Sequence, residues 1–66
     1  MKYKNINYII RDDCGENKGG YFVELYKENE EDYFDYVVIH NNNQREMNNI
    51  TKTIEKYIDS IESEVK

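Results

Sequence analysis

The chain predicts an α+β fold: a three-stranded antiparallel sheet, in the order β-β-β-α, with one C-terminal helix packed on one face. Three observations predict it. Apolar residues alternate with polar ones in three short runs, polar breaks rich in Asn, Asp, Glu and Gly separate those runs, and from Met47 onward apolar residues recur at steps of three and four. The first pattern belongs to strands with one buried face, the last to a helix with one buried stripe. All 66 residues, 1–66, are expected to form a single domain, since a chain this short has no room for a second core.

The first strand is expected in "YKNINYIIRD", where Ile6, Tyr8 and Ile10 alternate onto one face and Asn5, Asn7, Ile9 and Arg11 onto the other. "DDCGENKGG" breaks the pattern with turn-forming residues and suits a hairpin loop. "YFVELYKE" is the second strand, with Tyr21, Val23 and Leu25 on one face and Phe22, Glu24, Tyr26 and Glu28 on the other. "NEED" turns the chain into "YFDYVVIH", a third strand rich in aromatic and β-branched residues. Pairing Lys27 with Asp32 sets Leu25 opposite Phe34, Val23 opposite Tyr36 and Tyr21 opposite Val38, which gives one coherent apolar face. This register also sets Glu24 against Asp35, a repulsive pair. A slip of one residue removes that clash but carries Asp35 onto the core face opposite Leu25; the first register is the expected one.

After "HNNN", Asn43 followed by Glu46 has the spacing of a capping box, so a helix is expected from residue 44 to the end. Met47, Ile50, Ile54, Ile58, Ile61 and Val65 form its buried stripe, and Tyr57 widens it. One helix covers one sheet face. The opposite face is expected to show Ile9, Phe22, Tyr26, Tyr33, Val37 and Ile39 to water, with Glu24, Glu28 and Asp35 among them. A contiguous group of that kind suggests a contact surface, although cross-strand packing in a Tyr-rich sheet is the plainer reading.

The net charge of −5 is concentrated in one segment. Residues 1–23 carry +1, residues 24–35 carry −5 and residues 36–66 carry −1. "ELYKENEEDYFDY", Glu24 to Tyr36, packs six carboxylates and four aromatic rings into thirteen positions. Carboxylates on a rigid sheet can occupy the places that nucleic-acid phosphates take on a basic partner, and complementary potentials speed such association. Interleaved rings supply desolvated anchors. The same acids also guard a hairpin edge against aggregation, which is the bland alternative. A second acidic stripe, Glu55, Asp59 and Glu62, flanks the helix, with Lys52 and Lys56 beside it.

Catalytic and cofactor motifs are lacking. Asp12, Asp13, Cys14 and Glu16 lie together but lack the twelve-residue ligand series of a calcium loop. Acidic neighbours raise rather than lower the pKa of a thiol, so Cys14 reads as a spare surface thiol. His40, the single histidine, has no matched nucleophile or second ligand and is expected to pack or cap. Gly19 and Gly20 precede no helix and serve backbone geometry, not phosphate binding. No enzyme activity, cofactor or metal is expected. The first residues, "MKYKNINYII", contain no long apolar run, and no stretch approaches the length of a membrane helix, so a cytoplasmic protein is expected. Asn, Lys, Ile and Tyr supply 31 of the 66 residues, a bias that fits an AT-rich bacterium or its phage. Direct nucleic-acid binding, an established use of three-stranded sheets followed by a helix, needs a basic reading face, and this hairpin is acidic.

In size, acidity, lack of catalytic motifs and the acidic hairpin "ELYKENEEDYFDY", the chain resembles the small proteins that phages use against host defence, anti-CRISPR inhibitors among them. That resemblance implies a few strands with one or two helices, action in the host cytoplasm and a basic target groove meant for DNA. The expected function is an inhibitor or adaptor that blocks a basic, nucleic-acid-handling protein such as a host nuclease, as a DNA mimic. Glu24, Glu28, Glu30, Glu31, Asp32 and Asp35 would supply the charge, and Tyr26 and Tyr33 the anchors. The alternative is a small structural or regulatory homodimer that buries the uncovered sheet face against its own copy.

Overall fold

A computed structural model describes residues 1–64, with side chains through Ile61. The fold is α+β, with an antiparallel sheet and a C-terminal helix, but the sheet has four strands rather than three. They are β1 (Lys2–Tyr3), β2 (Ile6–Asp12), β3 (Tyr21–Lys27) and β4 (Asp35–Ile39), arranged as a meander in chain order. A short helix α1 (Gln44–Met47) and a longer one, α2 (Ile50–Glu64), follow.

The expected first strand is divided by a turn at Lys4, whose φ of 54° lies in the left-handed region. Lys2 then pairs with Asn7 and Tyr3 with Ile6. Two residues are too few to show an alternating pattern, so β1 leaves no trace in the sequence. Ile6, Tyr8 and Ile10 share the helix side of β2, as their alternation requires.

The loop between β2 and β3 is held by Asn17. Its side chain donates to Asp13 and to the Ile39 carbonyl, and accepts from the Asn41 amide at 2.8 Å, so the loop is tied to the end of β4. Gly19 has φ +98°, and a Cβ at Gly20 would collide with the Ile39 carbonyl oxygen. Both glycines therefore serve the backbone, as expected.

The β3–β4 register is the slipped one. Tyr21 faces Ile39, Val23 faces Val37, Glu24 faces Tyr36 and Leu25 faces Asp35. Phe34 donates its N–H to the Leu25 carbonyl at 2.9 Å, so two residues of the incoming chain, Phe34 and Asp35, meet one residue of β3. This bond closes the open end of the ladder, whose first pair is Leu25 with Asp35. Three gains oppose the cost of turning Asp35 toward the helix. Val37 and Ile39 enter the core side, Glu24 escapes Asp35, and the Tyr57 hydroxyl donates to Asp35 Oδ2 at 2.8 Å. Val37 and Ile39 thus leave the predicted open face. Tyr36 and Val38 replace them, and Phe34 is exposed instead of buried opposite Leu25.

The core consists of Ile6, Tyr8, Val23, Leu25, Ile39, Ile54 and Ile58, with Met47, Ile50 and Ile61 packed partly against it. Val65 lies outside the described residues. The single long helix expected from residue 44 is interrupted at Asn48 and Asn49, between α1 and α2. Asn49 binds the Arg45 carbonyl through its own side chain, a local competitor for helical bonding. Asn43 caps α1: its Oδ1 accepts from Glu46 N–H at 3.1 Å. Replacing Asn43 with Ala is expected to lower unfolding free energy by about 1 kcal/mol, measurable by urea denaturation. No change in midpoint would mean that the cap contributes nothing.

Candidate protein-binding surface

The sheet side away from α2 carries a chain of four rings. Tyr36 stacks on Phe22 with centroids 5.1 Å apart and planes 21° apart. Tyr33 meets Phe22 edge-on at 6.3 Å and meets Tyr26 edge-on at the same distance. Edge-on and offset contacts suit the ring quadrupole, so the cluster is stable without a covering layer. Tyr33 and Tyr36 remain 46% and 50% exposed, and Ile9 42%, so much of the face meets water.

Arg11 and Glu24 stand beside these rings. Arg11 Nε donates to Glu24 Oε1 at 2.6 Å, and the Tyr26 hydroxyl donates to the same oxygen at 3.0 Å. The Arg11 hydrogen bond, reinforced by that of Tyr26, holds the Glu24 carboxyl below its usual range. Burial, with the Glu24 contact, raises the Tyr26 phenol. The Glu24 side chain is only 14% exposed and already neutralised, so it positions the ring cluster more than it projects charge.

The eight residues singled out in the sequence therefore divide into three groups. Tyr26, Tyr33 and Glu24 share the open face. Glu28, Glu30, Glu31 and Asp32 lie exposed on the loop after β3, where Glu28 makes a long 3.8 Å ion pair with Lys2. Glu30, Glu31 and Asp32 have no ion pair among the described residues. Asp35 is on the helix side, held by Tyr57. Phe22 and Tyr36 complete the ring chain. Phe22 was legible from alternation, whereas Tyr36 was hidden by the register.

Of the helical acids, Asp59 is engaged at the β1 hairpin and not joined to this loop. Asp59 pairs with Lys4 at 2.6 Å and accepts from the Tyr3 hydroxyl at 3.1 Å, so lysines of the β1 hairpin stand between the two acidic groups. The Lys4 contact keeps the Asp59 carboxyl below its ordinary range. The Glu62 side chain lies outside the described ones. Cys14 and His40 are exposed, and Asn43 donates to the His40 carbonyl. Among the described residues, no three His, Cys, Asp or Glu side chains gather as a metal site, and no helix is long and apolar enough to cross a membrane.

On the other side of the sheet, an open groove of about 710 Å³ runs between the two helices and β4. Val37 and Tyr57 form its apolar wall, and Arg45, Lys52 and Lys56 its basic lining. No family model, curated protein or solved structure matches the chain.

Proposed function

We infer that the protein is a non-catalytic binding module, an inhibitor or adaptor that docks on a basic, nucleic-acid-handling protein in the manner of a DNA mimic. One observation carries this reading: an uncovered chain of four rings lies beside a loop whose Glu30, Glu31 and Asp32 are exposed and unpaired among the described residues. Rings of this kind become anchors when desolvated, and the carboxylates steer a positively charged surface toward them. The anti-CRISPR-like character of the sequence and a phage origin belong to the same proposal. Asp35 is assigned to the fold and Glu24 to the ring cluster.

The experiment is a triple substitution, Glu30→Gln, Glu31→Gln and Asp32→Asn, against a basic nuclease captured from an AT-rich host. Exposed carboxylates contribute little to folding, so the variant should remain folded. Association should slow by roughly tenfold or more at low salt, with wild-type binding weakening as salt rises and nucleic acid competing for the target. A partner whose affinity ignores salt, the triple variant and added nucleic acid would end the mimicry reading.

The alternative, a homodimer through the same face, is favoured by the exposure of Tyr33 and Tyr36. The triple variant separates the two. Removing three negative charges weakens attraction to a basic partner but lessens repulsion between copies that each carry −5. A solution mass that becomes more dimeric in the variant supports the homodimer.

A further inference from the structure

We propose that the groove between the helices and β4 binds a small organic anion carrying two or more phosphoryl groups. Arg45, Lys52 and Lys56 line it with one lining acid, Glu46, and Asp35 stands behind the wall on the Tyr57 hydroxyl, so cations still outnumber the nearby carboxylates on a protein of net charge −5. None of the three cations makes an ion pair among the described residues, although carboxylates outnumber cations in the chain. Lys52 and Lys56 are one helical turn apart, where like charges repel, and an anion between them relieves that repulsion. Asn43 adds a donor, since its Oδ1 is taken by the Glu46 amide while its Nδ2 has no partner among the described residues.

The size and the donors of the groove suit this class of anion. A volume of about 710 Å³ matches small-molecule sites, and its polar, open form suits a charged ligand that remains partly hydrated. The planar Arg45 guanidinium fits a phosphoryl group through two parallel hydrogen bonds, and the lysines act as adjustable point charges for further ones. Val37 and the Tyr57 ring offer an apolar wall to the organic part. The Tyr57 hydroxyl itself is directed to Asp35, so the ring is held in place. This site lies on the helix side of the sheet, opposite the ring cluster, and its occupancy does not depend on the binding function proposed above.

The test is a titration of the full chain with inorganic tripolyphosphate, followed by amide and side-chain NMR shifts, with sulfate at matched ionic strength as the comparison. Shifts should saturate and centre on Asn43, Arg45, Asn49, Lys52 and Lys56. The double variant Lys52→Gln, Lys56→Gln should bind about tenfold more weakly or worse, because two charge-assisted contacts are lost. Lys18→Gln, in the loop between β2 and β3, should bind as wild type. Both groove lysines are exposed, and a circular dichroism spectrum confirms that the variant is folded. An equal response to sulfate, or unchanged affinity in the double variant, overturns the proposal. Tighter binding of a single-stranded oligonucleotide at the same residues would replace it with a nucleic-acid site.

Discussion

Ile58→Ala is expected to remove most of the stability of the fold. Ile58 is completely buried, in a small core of seven buried side chains among the described residues that joins α2 to the three longer strands. Truncating such a residue costs about 2–5 kcal/mol, the lost transfer energy plus the cavity left behind. A single core of this size supplies only about 3–5 kcal/mol in total. The chain has one cysteine, so no internal disulfide can compensate. Ile58→Val, which keeps the branched shape and removes one carbon, should cost only about 0.5–1.5 kcal/mol. Ile9→Ala, on the open face, removes a side chain that is already 42% exposed and should cost less than Ile58→Ala. Urea denaturation of the three variants checks this order. Near wild-type stability for Ile58→Ala would contradict the packing of α2 on the sheet.

That packing was legible because both periodicities are strong. Ile54 and Ile58 fall on the predicted helical stripe, and Ile6, Tyr8, Val23 and Leu25 on the predicted strand faces. What escaped depends on contacts distant in sequence. Both β3–β4 registers place apolar residues inward, either Tyr36 and Val38 or Val37 and Ile39, so alternation alone does not choose between them. The choice rests on how the incoming chain meets Leu25 at Phe34 and Asp35 and on a hydrogen bond from Tyr57, twenty-two residues beyond Asp35. The helix break had a local cause, Asn48 and Asn49, but Asn side chains interrupt helices only when their backbone bonds form, as Asn49 to Arg45 does.

The candidate surfaces were legible to different degrees for the same reason. Charge density is a property of the sequence, so the acidic loop could be found by counting. Pairing is a property of the fold. Arg11 is thirteen residues from Glu24 and removes it from the free charge, and Tyr57 removes Asp35. The basic groove was invisible as a site because Val37 was expected on the opposite face. Lys52 and Lys56 were read as neighbours of an acidic stripe, yet they line a groove with Arg45 while Asp59 turns to Lys4.

Phe22→Glu is expected to weaken partner docking by about 30-fold or more while leaving the domain folded. Phe22 is the centre of the ring chain, stacked on Tyr36 and touched edge-on by Tyr33, so its loss separates the two exposed tyrosines. A central aromatic anchor is worth about 2–4 kcal/mol in a protein interface, roughly 30-fold to several hundred-fold in affinity. A carboxylate in its place adds the cost of desolvation on docking. In the free protein this half-buried position lies opposite Arg11 on the neighbouring strand, whose guanidinium already holds Glu24 and has further N–H groups for a second carboxylate. The core side of the sheet is untouched, because Phe22 points away from Val23 and Leu25. Ser60→Glu, exposed on α2, adds the same charge away from the sheet and should bind as wild type. The ring and loop substitutions should also differ in kinetics. Phe22→Glu should chiefly speed dissociation, whereas neutralising Glu30, Glu31 and Asp32 should chiefly slow association, as steering charges do. Surface-bound kinetics at two salt concentrations distinguish these effects. A folded Phe22→Glu variant with wild-type affinity would remove the open sheet face from the interface.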